Sequence, residues 1–243
     1  MVEEKTKKER LFGIDLEEMV RAGLHFGHEK SKLHPKMKPY VFGIRKTVHI
    51  INLEETADKL EKALEYIRIL ISENKVLLLV GTKIQHKELV EAIAKECGLP
   101  YVSERWLGGF LTNFSVMKQR VIYFQKLRER EKSGELEKYG KKEQARIKRE
   151  LRNLEVKFAG FESLEKMPDA IFICDIKKDS ITLEEAKKKK VPIIAIVDTN
   201  TDPTPIDWPI PASDDAVNSL TYILNKVKEV IKSVKEKQTG VIS

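Results

Sequence analysis

Short apolar runs alternate with longer amphipathic segments along most of the chain. A continuous apolar run is typical of a strand covered on both faces, as in a parallel sheet. A segment with apolar residues at every third or fourth position is typical of a helix that buries one stripe. Strands joined by such helices predict an α/β fold with a doubly wound parallel sheet of five strands. The predicted strands are 48–51, 75–80, 99–103, 169–175 and 192–198.

The amphipathic segments between these runs predict the helices that cover the sheet. The clearest is 53–72, where apolar residues recur along one stripe. Asp15 is placed to cap a short first helix, and Gly98 is placed to end the helix before it. A proline-rich stretch at 201–211 predicts a loop, and residues 1–10 predict a charged lead. The remaining predicted helices are 84–97, 182–190 and 214–237.

A different pattern occupies residues 105–158. It opens with an aromatic turn that contains two glycines and continues as two charged runs, each with one narrow apolar stripe. Such stripes predict the seam of an antiparallel coiled-coil hairpin. We therefore predict an arm at 105–158, inserted into a globular α/β domain made of 1–104 and 159–243. The stripe residues are Met117, Val121, Phe124, Leu127, Ile147, Leu151, Leu154 and Phe158.

The charge distribution adds a prediction about partners. The chain carries a net charge of +7. Residues 118–157 contain fourteen Lys or Arg residues and seven Glu residues, so the arm accounts for the whole excess of positive charge. An excess of this kind favours an anionic partner, although a solvated arm without a ligand has the same composition.

Several classes of protein are disfavoured by composition. No apolar run approaches the roughly 18 residues needed to span a bilayer, so no membrane partner is expected. The charged start does not resemble a signal peptide. Cys97 and Cys174 lie far apart in apolar contexts, which favours reduced thiols in a cytosolic protein.

A second basic segment lies at 29–46, where six Lys or Arg residues accompany one acid. Pro35 and Pro39 argue against a regular helix, and we predict an extended loop. Cations interleaved with Tyr40 and Phe42 suit phosphate contact and base stacking, although a solvated basic loop remains an alternative. The candidate RNA-binding residues here and at the arm are Lys30, Lys32, Lys36, Lys38, Arg45, Lys46, Arg105, Lys118 and Arg120.

No catalytic residue is predicted. The stretch 81–83 has one glycine and lacks the spacing of a phosphate-binding loop. No serine occupies a nucleophile elbow. His25 and His28 could share a helix face, but Gly27 argues against that helix, so both are interpreted as ordinary core or surface histidines.

Carboxylates near the end of the chain are the candidate metal ligands. Asp198 ends the last predicted strand, and Asp214 and Asp215 open the last predicted helix. If all three converge at the carboxyl edge of the sheet, a cation or a base is needed to offset their repulsion. The alternative is that Ser213 caps the helix and that the two acids offset its dipole.

Ordered motifs along nearly the whole chain resemble the family of the second protein of the bacterial small ribosomal subunit. His34 and the pair at 204–205 depart from the family pattern, which places a local contact in doubt and leaves the resemblance intact. The motifs are GLHFGH at 23–28, PKMKPYVFG at 35–43, HIINLE at 49–54, VGTK at 80–83, RWLGG at 105–109, LTN at 111–113, PDA at 168–170 and VDTN at 197–200.

The resemblance implies a flavodoxin-like body with a protruding coiled-coil arm. It implies a structural and non-enzymatic role in the cytoplasm, bound to ribosomal RNA between the head and body of the small subunit. It also implies neighbouring small-subunit proteins as partners, including docking of the mRNA-binding first protein. No cofactor is required for catalysis, and a structural zinc ion held by Asp198, Asp214 and Asp215 is implied for some members.

Two alternatives belong to other functional classes. One is a nucleotide- or sugar-phosphate-binding α/β enzyme with a basic cleft, which the missing phosphate loop disfavours. The other is a scaffold whose arm pairs with a helix of another protein. Exposed apolar residues outside the seam would favour that second alternative.

Overall fold

The structure is a computed structural model that describes residues 10–240, so the predicted charged lead, apart from Arg10, lies outside the described residues. The helices are α1 (Leu16–Arg21), α2 (Leu53–Ser72), α3 (Lys87–Cys97), α4 (Phe114–Lys132), α5 (Lys141–Phe158), α6 (Ser180–Lys189) and α7 (Val217–Gly240). The strands are β1 (Phe26–Glu29), β2 (Val41–Arg45), β3 (Val48–Ile51), β4 (Leu77–Val80), β5 (Tyr101–Val102), β6 (Ala170–Ile173), β7 (Ile193–Val197) and β8 (Trp208–Pro211).

Five strands form a sheet in the order β5-β4-β6-β7-β8. The pairs β4–β5, β4–β6 and β7–β8 are parallel. Every residue of β4, β6 and β7 is buried, as expected for strands covered by helices on both faces. The predicted doubly wound α/β fold is therefore confirmed. Counted along the chain, the strand order is second, first, third, fourth, fifth, which is the flavodoxin-like order.

One predicted strand was assigned to the wrong sheet, and one strand of the parallel sheet was missed. Residues 48–51 form a strand, but β3 lies in a separate antiparallel sheet of order β1-β3-β2. The fifth parallel strand is instead β8, inside the stretch predicted as a proline-rich loop. Because β8 is at the edge of the sheet, Pro209 and Pro211 need not donate a backbone hydrogen bond to a further strand.

The segment 29–46 is more regular than the predicted extended loop. A 3-10 turn spans Pro35–Tyr40, and β2 follows it directly. Proline is tolerated here because a short 3-10 turn needs few backbone donors. The side chain of Met37 is fully buried and fixes the turn against the rest of its unit. We call residues 29–46 the basic hairpin.

The chain divides into two compact units, and the first comprises Met1–Asn74 and Ile194–Ser243. Its core lies between α2, α7 and β8, which pack on one another. The predicted bounds of α2 are those observed, and Asn52 caps the helix by accepting a hydrogen bond from the backbone of Glu54. Thr56 Oγ1 donates to the carbonyl of Pro211 over 2.5 Å, which ties α2 to the edge strand.

The second unit is Lys75–Ile193 and contains the predicted arm. Helices α4 and α5 form a packed hairpin, joined by a turn that includes a 3-10 segment at Glu135–Lys138. The α4 stripe is buried as predicted, and the Phe124 and Phe158 rings lie 6.2 Å apart. On α5, Leu151 and Phe158 are buried, whereas Ile147 and Leu154 are half-buried. The coiled-coil geometry and the division into body and arm stay predictions.

Two helices begin three residues later than predicted. Helix α3 begins at Lys87, and α7 begins at Val217. Asp214 and Asp215 therefore precede α7 instead of forming its first turn, so the interpretation of both acids as first-turn residues is wrong. The late starts leave an irregular loop after β4 and another after β8, at the carboxyl ends of these strands.

Candidate nucleic-acid interface and metal site

The basic hairpin presents its cations to solvent. Lys30, Lys32, Lys36, Lys38, Arg45 and Lys46 are all exposed. The backbone holds them in place, since Lys30 N–H donates to the Thr47 carbonyl over 2.9 Å and His34 N–H donates to the Thr199 carbonyl over 2.8 Å. Lys46 occupies a left-handed conformation with a φ of 57°, in the turn that joins β2 to β3.

Most of these cations have no acidic partner. Lys36 Nζ lies 3.2 Å from Asp202 Oδ2. Hydrogen bonds from Thr204, with a smaller contribution from Lys36, lower the pKa of Asp202 to about 2. Within residues 10–240, the other five candidate cations of the hairpin make no ion pair. The Phe42 side chain is 80% exposed between them. The hairpin therefore offers free positive charge beside an exposed aromatic ring.

The second set of candidate RNA-binding residues lies in the other unit and is also exposed. Lys118 Nζ donates to the Glu165 carbonyl over 3.0 Å. Arg105 and Arg120 form no ion pair with any residue that the structure describes. Elsewhere on the helical hairpin, Arg128 pairs with Glu162 over 2.6 Å. Most cations of α4 and α5 remain unpaired within the described chain.

Apolar side chains are also exposed on the helical hairpin, outside its buried stripe. Val116, Ile122 and Tyr123 on α4 are 40–49% exposed, and Val156 on α5 is 62% exposed. The Tyr123 hydroxyl donates to Glu150 over 3.0 Å, which holds its ring on this surface. Such residues suit contact with another protein better than contact with phosphates.

The turn at the base of the hairpin is held by a carboxylate that the sequence did not reveal. Glu185 on α6 accepts hydrogen bonds from Trp106 Nε1 and from the backbone N–H groups of Gly109, Leu111 and Thr112, over 2.7–3.3 Å. The Thr112 hydroxyl donates to it as well. Burial acts to raise the pKa of Glu185, but these donors outweigh burial and lower it. The side chain of Trp106 is buried in this turn.

A cluster of candidate metal ligands lies in the first unit, at the carboxyl ends of its parallel strands. Nitrogen or oxygen atoms of His28, Asp198 and Asp214 lie within 4.8 Å of one another. His28 Nδ1 is 3.2 Å from Asp198 Oδ1, and His28 Nε2 is 3.4 Å from Asp215 Oδ2. The structure thus brings Asp198 and Asp214 together as predicted, with the exposed Asp215 at the rim.

The surroundings of Asp198 fix the direction of its two oxygens. The backbone N–H and hydroxyl of Thr199 donate to Oδ1 over 2.5 and 3.1 Å, and the backbone N–H of Asp214 donates to Oδ2 over 3.2 Å. The Thr199 hydroxyl also accepts from the backbone of His28 over 2.9 Å. This approach needs Gly27, because a Cβ there would lie 2.5 Å from Thr199 Cγ2.

His28 was missed as a candidate ligand. The sequence argued only against a helix that would pair His25 with His28, whereas His28 lies on β1 and reaches the carboxylates without His25. The half-buried His25 instead packs its ring 4.0 Å from that of Phe26. A hydrogen bond with Asp198 raises the pKa of His28 against the opposing effect of burial. The carboxylates therefore favour a positive charge at this position.

Comparisons with known proteins agree on one family. The family model described as Ribosomal protein S2 matches residues 19–233. The small ribosomal subunit protein uS2 of Dictyoglomus thermophilum is 45% identical over 228 residues, which cover 93% of each chain. The uS2 proteins of Coprothermobacter proteolyticus and Thermus thermophilus are 39% and 41% identical over 95% and 90% of this chain, and over 86% and 85% of their own. None of the described helices is long and apolar enough to cross a bilayer.

Proposed function

This chain belongs to the ribosomal protein S2 family of structural, non-enzymatic constituents of the small ribosomal subunit, and we propose that it binds ribosomal RNA there through two basic surfaces. The small ribosomal subunit of bacteria is cytoplasmic, and so is a protein that forms part of it. The binding position we propose is between the head and the body of the subunit. The alternative of a nucleotide- or sugar-phosphate-binding enzyme is rejected, because proteins of this family are structural and non-enzymatic.

The observation that carries the proposal is the unpaired charge of the basic hairpin. Five exposed cations without an acidic partner among the described residues would otherwise repel one another. When RNA phosphates bind these cations, the counterions condensed on the RNA are released. This release makes association favourable at low salt. The exposed Phe42 ring gives the same surface a site for stacking on an unpaired base. Cations of the helical hairpin, together with Arg105, Lys118 and Arg120, provide the second basic surface.

We also propose that the helical hairpin takes part in a protein contact within the subunit. The support is the exposed set of Val116, Ile122, Tyr123 and Val156, which lies outside the stripe that joins α4 to α5. Docking of the mRNA-binding first protein of the subunit is the contact that we favour. The free-standing scaffold alternative also predicted a contact between the arm and another protein, and we propose that this contact is made within the small subunit.

Neutralising two hairpin cations should weaken binding to small-subunit particles. We expect the double variant Lys38→Gln/Arg45→Gln to lose about tenfold in affinity, because each exposed cation contacts phosphate. The slope of log affinity against log salt should fall by about two. Sedimentation of the tagged protein with particles lacking the protein, at several salt concentrations, measures both quantities.

Lys187→Gln/Lys188→Gln is the matched control, since it removes two exposed lysines from the last turn of α6, outside the basic hairpin. Its affinity should equal that of the unmutated protein. An affinity of the unmutated protein that stays constant from low to high salt would contradict the phosphate account. Circular dichroism of each variant establishes that the fold is retained.

We propose further that His28, Asp198 and Asp214 hold a structural zinc ion, with Asp215 at the rim. One imidazole and two carboxylates are a donor set that zinc accepts, with water completing the coordination. Hydrogen bonds that orient Asp198 are the kind that support metal ligands in known sites. When bound, zinc would supply positive charge that joins β1 to the carboxyl ends of β7 and β8.

Asp198→Asn should lower the zinc content of the purified protein to near zero, because it removes the most buried carboxylate of the set. Elemental analysis of protein prepared without chelator measures the ratio of metal to chain. Asp202→Asn is the control, because Asp202 pairs with Lys36 outside the cluster. Absence of zinc from the unmutated protein would rule out the site.

A further inference from the structure

A cavity of about 380 Å³ lies in the second unit, where β4, β5 and β6 reach their carboxyl ends. In the flavodoxin-like strand order, the chain leaves the first and third strands toward opposite faces of the sheet. Ligands bind in the crevice that this creates at the carboxyl ends of the two strands. Here those strands are β4 and β6. The cavity is lined by Thr82, Ile84, Lys87, Glu104, Arg105, Trp106, Lys178, Asp179, Ser180 and Ile181.

The charges of the cavity lining favour an anion. Lys87 pairs with Glu104 over 2.5 Å, so these two residues neutralise each other. The buried Asp179 accepts hydrogen bonds from the Thr82 hydroxyl and backbone over 2.7 and 3.3 Å. Burial raises the pKa of Asp179, against the opposing effect of its hydrogen bonds from Thr82. Arg105 and Lys178 remain exposed, and neither forms an ion pair with the described residues.

The lining also has an apolar part that packing does not explain. Ile84 lies in the loop after β4 and is 84% exposed, and Ile181 at the start of α6 is 53% exposed. Exposed isoleucines that line a cavity together with cations offer contact for a flat apolar group. The buried Trp106 forms part of the same lining. A volume of this size falls within the range of known small-molecule sites.

We propose that this cavity binds one nucleotide unit, with its phosphate at Arg105 and Lys178 and its base against Ile84 and Ile181. The proposal rests on the RNA-binding function proposed above and gives it a specific ligand. Ser180 is the first residue of α6, so the helix dipole adds positive potential at the phosphate. The nucleotide belongs either to a single-stranded segment of RNA or to a free nucleoside monophosphate. The site binds it without chemical change.

The test uses the full-length protein with Trp208→Phe, which leaves Trp106 as the single tryptophan. Adenosine monophosphate, a single-stranded RNA of about six nucleotides and inorganic phosphate are titrated separately while Trp106 emission is recorded. Equilibrium dialysis gives the stoichiometry for adenosine monophosphate. We expect a saturable change with at least one of the two nucleotide ligands. Arg105→Gln should weaken that ligand about tenfold through loss of a charge-assisted contact.

Ile84→Ser should weaken the same ligand severalfold, whereas Lys187→Gln, distant along α6, should leave its affinity unchanged. Displacement of adenosine monophosphate by the RNA identifies one site for both sources. A response to the RNA alone identifies a strand nucleotide, and a response to the monophosphate alone identifies a free nucleotide. All three of these results support the proposal.

Two results would overturn it. The first is a saturable response to neither nucleotide ligand. The second is binding of inorganic phosphate as tight as that of the nucleotides and insensitive to Ile84→Ser, which indicates a plain anion patch. In either case, sedimentation with small-subunit particles decides the proposed RNA-binding function separately. Conversely, failure to sediment with particles while the nucleotide response persists would count against that function and not against the cavity.

Discussion

Glu185→Ala is expected to lower the free energy of unfolding by about 4 kcal/mol, because two buried donors lose their acceptor at a cost of about 1–3 kcal/mol each. These donors are Trp106 Nε1 and the backbone N–H of Leu111. Alanine also leaves a cavity where the carboxylate stood. Urea denaturation followed by Trp fluorescence measures the change.

Glu184→Ala is the natural control, since Glu184 is the exposed neighbour on the same helix and should change stability by less than about 0.5 kcal/mol. An equal and small effect of both substitutions would contradict the role assigned to Glu185. Loss of the loop constraint should also disturb the position of Arg105, which begins the same turn. Affinity for particles should therefore fall in Glu185→Ala even where the protein remains folded.

The pH dependence of the same residue has a definite sign. Because its donors hold the folded-state pKa of Glu185 below the usual value of 4.5, the ionised carboxylate stabilises the fold above that pH. The contribution is lost as the pH falls through the folded-state pKa. In Glu185→Gln this part of the acid sensitivity should be absent, so the stability gap to the unmutated protein should narrow on acidification.

Gly160→Ala is expected to destabilise the second unit by about 3 kcal/mol or more, at the upper end of the cost of overpacking. A Cβ at this position would lie 2.3 Å from the backbone carbonyl oxygen of Tyr101 and 2.9 Å from its ring. A backbone atom cannot move aside as a flexible side chain can, so β5 or the segment after α5 must shift. Thermal and urea unfolding measure the loss.

Gly108→Ala provides the comparison, because a Cβ there meets nothing within 4 Å. It should change stability by less than about 0.5 kcal/mol. If Gly160→Ala proved as harmless as Gly108→Ala, the close approach between β5 and the end of the helical hairpin would not exist in solution.

Elements with strong local signals were predictable from sequence. The bounds of α2 were correct because an unbroken apolar stripe follows a capping Asn52. The buried stripe on α4 was equally clear, since its residues recur at every third or fourth position. Strand β8 was missed because Pro209 and Pro211 resemble loop residues, and only the position of a strand at a sheet edge makes them acceptable.

The candidate sites were less predictable because they depend on contacts between distant parts of the chain. Asp198 was found from its place at the end of a predicted strand, and Asp214 from its place at the start of the last predicted helix. His28 is 170 residues from Asp198, and nothing in its local pattern distinguishes a strand histidine that reaches a carboxylate from an ordinary one. Glu185 lies on a short helix of ordinary composition, and its five donors come from a turn more than seventy residues earlier.

The first unit is assembled from both ends of the chain, and this has a consequence for synthesis. Its contacts join Thr56 to Pro211 and His28 to Asp198. A nascent chain interrupted before residue 194 therefore lacks β8, α7 and both buried carboxylates of the metal cluster. The second unit is continuous from Lys75 to Ile193 and can be complete at that stage. A copy released prematurely would thus carry the helical hairpin but lack the C-terminal part of the first unit. Such a partly folded chain would be a substrate for quality-control proteases.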